Sequence, residues 1–170
     1  MIILFTGGSA CGKSSYAESV CVGMPKPRYY IAAMKPYGAE GEARIRRHRA
    51  MRAGKGFETF ECYTGLKELE LPEKGTVLLE CICNLTANEM FDDEGNIKDP
   101  YDAVMAGVDN LIASSGDLII ITNDVGAEPA DYGEATDSYI RVMGRINAAI
   151  AQKADRVIEM VAGVPTVIKG

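Results

Sequence analysis

Residues 2–14 read Ile2-Ile3-Leu4-Phe5-Thr6-Gly7-Gly8-Ser9-Ala10-Cys11-Gly12-Lys13-Ser14. A continuous apolar run of this length fits a central strand buried on both faces. The turn after it matches G-x-x-x-x-G-K-[ST], and the residues from Lys13 onward read as a helix that Pro25 and Pro27 stop. Strand, glycine-rich turn and helix in that order form a phosphate cradle. Small residues let successive backbone N–H groups face an anion, and the helix N-terminus adds its partial positive charge. In this reading Gly7, Gly8, Ser9, Ala10, Cys11 and Gly12 hold a nucleotide, Lys13 reaches its terminal phosphates and the Ser14 hydroxyl binds Mg²⁺. A purely structural glycine turn is the alternative, and the flanking strand and helix favour the cradle.

Strand and helix patterns alternate along the rest of the chain. Strands are expected at 28–33, 76–80, 117–122, 156–161 and 165–168. Helices are expected at 39–53, 84–91, 101–114 and 134–153, with a short one at 66–71, a surface turn at 92–96 and a loop at 123–133. The alternation predicts an α/β fold with a mainly parallel sheet, and the opening motif makes it a three-layer α/β/α arrangement of the P-loop NTPase type. No repeat or linker interrupts residues 1–170, which read as a single nucleotide-binding domain. In such sheets ligands bind beyond the carboxyl ends of the strands, and Gly7, Ala33, Glu80 and Asn123 all fall there.

Composition narrows the function classes. A net charge of −6 argues against nucleic acid as a partner. No apolar run reaches the ~20 residues of a membrane span, and residues 1–5 are too short for a signal peptide, so a cytoplasmic location is expected. Five cysteines without a secretory signal argue against a disulfide framework, and one histidine is too few to complete a zinc set with Cys81 and Cys83. The cysteines read as small core residues.

The basic residues are unevenly spread: Arg44, Arg46, Arg47, Arg49, Arg52 and Lys55 crowd one segment, which suits a small polyanion. His48 stands among them, with Arg44 and Arg52 one helical turn away on the same face. Flanking cations would keep the imidazole neutral and so nucleophilic, while the same arginines would steady a negatively charged transition state. A solvated basic helix is the other reading of these residues. Glu80, ending an apolar strand, is either a metal-holding or proton-accepting acid or a cap for the next helix. Asn123 and Asp124 either line the pocket or form a turn, and Asp117, at the opposite end of its strand, is structural.

Four blocks in order, residues 5–14, 30–33, 43–49 and 78–82 with 122–126, and Gly144-Arg145-Ile146-Asn147 near the end, together resemble the bifunctional adenosylcobinamide kinase / adenosylcobinamide-phosphate guanylyltransferase family of cobalamin biosynthesis. The resemblance covers nearly the whole chain, and its R-I-x-x-H-R block is more specific than the glycine-rich loop. It implies phosphorylation of adenosylcobinamide by ATP or GTP. Transfer of GMP from GTP through a covalent intermediate on His48 would then give adenosylcobinamide-GDP and pyrophosphate. It further implies nucleotide contacts at Ala32, Ala33 and Met34 and at Arg49, Ala50, Met51 and Arg52. Acids at Glu61 and Glu80 would serve near the guanine or the metal, and the assembly would be a homo-oligomer, a trimer. The helix bearing His48 would have to move, or be arranged by a neighbouring subunit, to reach the loop. Relatives carry Arg-Pro and a Trp after the histidine. This chain has Arg52-Ala53-Gly54-Lys55-Gly56-Phe57 and no Trp, so Glu58 and Glu61 both stand as candidates for the first acid. The competing functions are a P-loop small-molecule kinase without GMP transfer, and a nucleotide-binding regulatory module.

Overall fold

In the computed structural model, seven strands form one sheet in the order β3-β2-β4-β5-β1-β6-β7. The described residues are 1–92, 94–126 and 133–170, with the side chains of Glu40 and Arg44 excepted. The strands are β1 (Ile2–Thr6), β2 (Arg28–Ala32), β3 (Phe57–Glu61), β4 (Thr76–Glu80), β5 (Asp117–Ile121), β6 (Arg156–Val161) and β7 (Val164–Lys169). The first six are parallel, and β7 returns antiparallel along β6. The helices are α1 (Lys13–Val22), α2 (Gly38–Arg52), α3 (Ile82–Met90), α4 (Tyr101–Ser114) and α5 (Glu134–Lys153).

The side chains of the central strands divide by parity, as a pleated sheet requires. Ile3, Phe5, Tyr30, Leu78, Ile119 and Ile121 pack against Ala17 and Cys21 of α1. Leu4, Tyr29, Ile31, Val77, Leu79, Leu118 and Ile120 pack beneath α3, α4 and α5 through Leu85, Val104, Leu111, Val142, Met143 and Ile146. The result is the expected three-layer α/β/α fold.

Most expected elements lie where the pattern placed them. The differences have local causes. β3 was not anticipated, because Phe57-Glu58-Thr59-Phe60-Glu61 breaks the alternation of a half-buried strand. It is an edge strand whose two aromatic rings go to opposite faces, Phe57 edge-on to Tyr30 and Phe60 edge-on to Tyr29. α3 starts two residues earlier than expected, since Ile82 and Cys83 look like a continuing strand. The helix expected at 66–71 is only a 3-10 turn at Leu66–Glu68. Part of the turn at 92–96 and most of the loop at 123–133 fall outside the described residues. Asp117 is structural as expected, with Oδ1 3.0 Å from the Met1 nitrogen at the far end of the sheet.

Cys21, Cys81 and Cys83 are buried, as core residues should be, and all five cysteines are free. Among the described residues no helix is long and apolar enough to cross a membrane.

The glycine-rich loop is fixed by its neighbours. Gly7 has φ +133°, and a Cβ there would stand 2.4 Å from the Met160 carbonyl oxygen. Asp124 N donates to Gly7 O (3.2 Å), and Gly163 N, in the turn between β6 and β7, donates to Cys11 O (3.1 Å). Gly7→Ala combines backbone strain with overpacking. It should lower unfolding stability by about 2–4 kcal/mol, read from urea denaturation midpoints, and weaken nucleotide binding with it. A variant as stable as the parent would show that β6 does not hold the loop.

Candidate active site

A cavity of about 550 Å³ opens at the carboxyl ends of β1, β2, β4 and β5. Its wall includes residues 9–15 of the loop, Met34 after β2, Glu80 and Cys81 after β4, Asn123 after β5, and Ala43, Arg47, His48 and Met51 on one side of α2. A smaller, narrower cavity adjoins it on the β2–β3 side. There Tyr30, Ala32, Met34, Thr59, Glu61 and Tyr63 face Ile45, His48, Arg49 and Arg52 of α2. Met34, His48 and Glu80 line both spaces. The chain therefore brings His48 to the cavity that its own phosphate loop lines.

Lys13 lies under the loop. Its Nζ donates to Gly7 O (2.8 Å) and Gly8 O (2.5 Å) and contacts Cys11 Sγ at 3.5 Å. Ala10 and Gly12 have positive φ, which turns the loop around this ammonium. Ser14 Oγ donates to Glu80 Oε1 at 3.2 Å. The same Oε1 lies 2.6 Å from His48 Nδ1, with both side chains only slightly exposed. At this distance the two groups share a proton; when Nδ1 carries it, the imidazole lone pair lies on Nε2.

Glu80 does not cap α3, whose N-cap is Cys81 without a side-chain hydrogen bond. Burial pushes the Glu80 carboxyl up to about 7; the Ser14 hydroxyl pulls the other way, and the charge of Glu18 adds to the rise. The sequence reading surrounded His48 with arginines. In the fold the group touching its ring is a carboxylate, because β4 ends where α2 passes over.

The arginines divide according to the face of α2 they occupy. Arg46 pairs with Glu42 at 3.3 Å in solvent. Arg49 pairs with Glu61, and Tyr63 Oη donates to the other Glu61 oxygen at 2.9 Å. The tyrosine hydroxyl and then Arg49 hold the Glu61 carboxyl below its usual range. Arg52 is buried, with its guanidinium 3.5 Å above the Tyr30 ring. Desolvation lowers its pKa, opposed by Glu18. Arg47 faces the main cavity and makes no ion pair among the described residues.

Of the residues expected to bind nucleotide, 9–14, Met34, Met51 and Glu80 line the main cavity, and Ala32, Arg49, Arg52 and Glu61 line the smaller one. Gly7 and Gly8 form the floor through their carbonyls. Ala33 is fully buried and Ala50 points to solvent, so neither lines a cavity. Glu61, and not Glu58, faces inward, because 57, 59 and 61 share one side of β3.

Arg47 stands in the basic segment that the sequence suggests for a polyanion but is not singled out there as a site residue, although its place one turn before Met51 could have flagged it. The terminal block acts at a distance. Asn147 Nδ2 donates to Asn123 O (3.3 Å) and its Oδ1 accepts from Thr122 Oγ1 (2.7 Å), so α5 braces the end of β5.

A hydroxyl and a carboxylate 3.2 Å apart at the cradle's mouth are hard oxygen donors of the kind Mg²⁺ takes beside phosphate oxygens. Among the described residues no three His, Cys, Asp or Glu side chains converge on a metal point, so this donor set fits a metal arriving with a triphosphate.

The comparisons decide the family. The family model for cobinamide kinase / cobinamide phosphate guanyltransferase matches residues 3–168. The chain belongs to this family. It is 32% identical to the bifunctional adenosylcobalamin biosynthesis protein CobU of Escherichia coli, over 99% of this chain and all of that one. Identity to CobU of Salmonella typhimurium is also 32%, with the same coverage. The corresponding protein CobP of Pseudomonas aeruginosa is 28% identical over 98% and 96% of the two chains.

Solved structures agree on the fold. An ATPase domain superposes with TM-score 0.53 at 9% identity, over 93% of this chain and 68% of that one. An ATPase from a type III secretion system gives 0.54 at 11%, over 94% and 51%.

A Glu80 carboxyl raised from 4.5 to about 7 gives a signed expectation. Below pH 4.5 both folded and unfolded states are protonated and its contribution to stability is fully present. Between 4.5 and 7 the unfolded state ionises first, so stability falls as pH rises. Relative to Glu80→Gln, the native chain should lose about 1–3 kcal/mol across that window. Urea titrations at several pH values read the difference, and parallel curves would place the ionisation in the ordinary range.

Proposed function

We propose that this chain phosphorylates adenosylcobinamide with ATP or GTP. It then transfers GMP from GTP to adenosylcobinamide phosphate through a covalent intermediate on His48, releasing pyrophosphate and then adenosylcobinamide-GDP. The observation that carries this reading is the 2.6 Å contact between His48 Nδ1 and Glu80 Oε1 inside the cavity that the phosphate loop floors.

In the first reaction the loop N–H groups hold the triphosphate, and Lys13 moves from the loop carbonyls to the terminal phosphates. The substrate hydroxyl attacks the γ-phosphorus and loses its proton to solvent, and the bond to the β-phosphate bridging oxygen breaks to release the nucleoside diphosphate. Ser14 and Glu80 would hold Mg²⁺, which would neutralise the phosphates and orient them. In the second reaction His48 Nε2 attacks the α-phosphorus of GTP, and the bond to pyrophosphate breaks. Glu80 keeps the Nδ1 proton and stabilises the ring as it gains charge. An oxygen of the substrate phosphate then attacks the same phosphorus, the P–N bond breaks and the imidazole is restored. Arg47, on the loop side of α2, is placed to meet the charge on the α-phosphate. Tyr30, Ala32 and Met34 would pack the base, with Glu61 at its polar edge.

Splitting the transfer through histidine lets a half-buried imidazole, and not a phosphate anion, meet the triphosphate first. The reading includes one domain over residues 1–170, a cytoplasmic location and a trimer. On β7, Val164 and Ile168 share one face, with Val161 paired across from Val164, and leave exposed apolar side chains that such an assembly could cover.

Incubation with [α-³²P]GTP tests the reading. The chain should acquire an acid-labile, alkali-stable label that His48→Ala abolishes, and Arg47→Ala should slow labelling by roughly 10–1,000-fold. Glu80→Gln should slow it about 10–100-fold. The native chain should label faster as pH passes about 7, and Glu80→Gln should remove that rise. Phosphorylation of adenosylcobinamide should survive His48→Ala and fail in Lys13→Ala. Active, folded protein that never becomes labelled would contradict GMP transfer and leave a kinase.

A further inference from the structure

Glu18 is a fully buried carboxylate on α1, five residues beyond Lys13, and no step described above uses it. Its Oε2 lies 2.6 Å from Lys55 Nζ, just past the end of α2, while Oε1 has no hydrogen-bond partner among the described residues. Arg52, the last residue of α2, stacks on buried Tyr30 in the same region, and the charge of Glu18 supports its desolvated guanidinium. A buried charge with one unsatisfied oxygen is costly to maintain, and a packed apolar residue would serve the core better.

What the arrangement does follows from the composition of α2. Among residues 38–52 only Ile45 and Met51 are large and apolar, and both are half-buried. No apolar stripe of the usual width docks this helix on the sheet. Its position is set by polar contacts: Glu80 at His48, Glu61 at Arg49, Tyr30 at Arg52 and Glu18 at Lys55. Of these, only the Glu18–Lys55 pair joins the α2 end to the helix that begins with the phosphate-binding lysine. Arg52 is one turn from His48, so tilting this end of α2 moves the imidazole relative to the loop.

We infer that Glu18, acting through Lys55 and beside Arg52, is a positioning residue that fastens α2 to α1 and so sets His48 at the distance from the phosphate loop that GMP transfer requires. The inference rests on the proposed GMP transfer. Phosphorylation by the loop does not use His48, so the fastening serves the second reaction and leaves the first untouched.

Lys55→Met tests this in the full chain, with Lys55→Arg as the conservative variant and Glu18→Gln as its partner. Three quantities are read: single-turnover labelling of His48 by saturating [α-³²P]GTP, ATP-dependent phosphorylation of adenosylcobinamide, and hydrogen exchange of the amides in residues 43–52. Lys55→Met should slow labelling by roughly 10–100-fold at unchanged KM for GTP, because small misplacements of reacting groups have effects of this size. Phosphorylation should stay within about threefold and α2 amides should exchange faster. Lys55→Arg should restore most of the labelling, and Glu18→Gln with Lys55→Met together should be no worse than the poorer single variant.

Labelling within about twofold of the parent, or labelling and phosphorylation falling in proportion, would overturn the inference. Failure of the parent chain to label His48 would overturn the proposed transfer as well. In that case faster exchange in Lys55→Met would still report the fastening by itself.

Discussion

The site depends on one carboxylate at the end of β4. Glu80 Oε1 accepts from Ser14 at the start of α1 and meets His48 on α2, so one oxygen ties the phosphate-binding loop to the nucleophile candidate. The parallel sheet makes this meeting possible, because β1, β2 and β4 end on the same side, and residues 9–15, Met34 and Cys81 that follow them line the cavity. β4 lies between β2 and β5, with apolar neighbours on both faces, and this burial keeps the carboxyl partly protonated near neutral pH. A solvated acid at the same place would be fully ionised and would bind His48 less selectively.

The helix that carries His48 obeys a different rule from the rest of the molecule. α4 and α5 are held by apolar side chains against the sheet. α2 is held by polar contacts, with His48, Arg49 and Arg52 reaching Glu80, Glu61 and Tyr30 on three different strands. That design keeps a strongly basic segment on an acidic protein ordered and leaves Arg47 for the ligand. It also makes the helix position sensitive to single polar changes, which a packed apolar helix would absorb.

Much of this was legible in the sequence. The run from Ile2 to Ser14 identified the central strand, the cradle and the first helix, because hydrophobic continuity and a glycine pattern are local properties. The carboxyl-end convergence of Gly7, Ala33, Glu80 and Asn123 followed from the alternation of elements. The partner of His48 did not follow, since Glu80 is 32 residues away and only the passage of α2 over β4 brings the two together. The division of labour among Arg46, Arg47, Arg49 and Arg52 was likewise hidden, because helical spacing orders residues around an axis without saying which side faces the loop. β3 was missed because an edge strand needs only a few apolar contacts, and its two phenylalanines serve opposite faces.

The single histidine makes the central contact directly measurable. In protein labelled with ¹⁵N-histidine, the imidazole nitrogens of residue 48 form one spin system. The account predicts that, just above neutral pH, Nδ1 carries the proton and Nε2 the lone pair, and that Glu80→Gln shifts this tautomer balance and the titration of both nitrogens. An Nε2–H tautomer whose titration is unchanged in Glu80→Gln would contradict it.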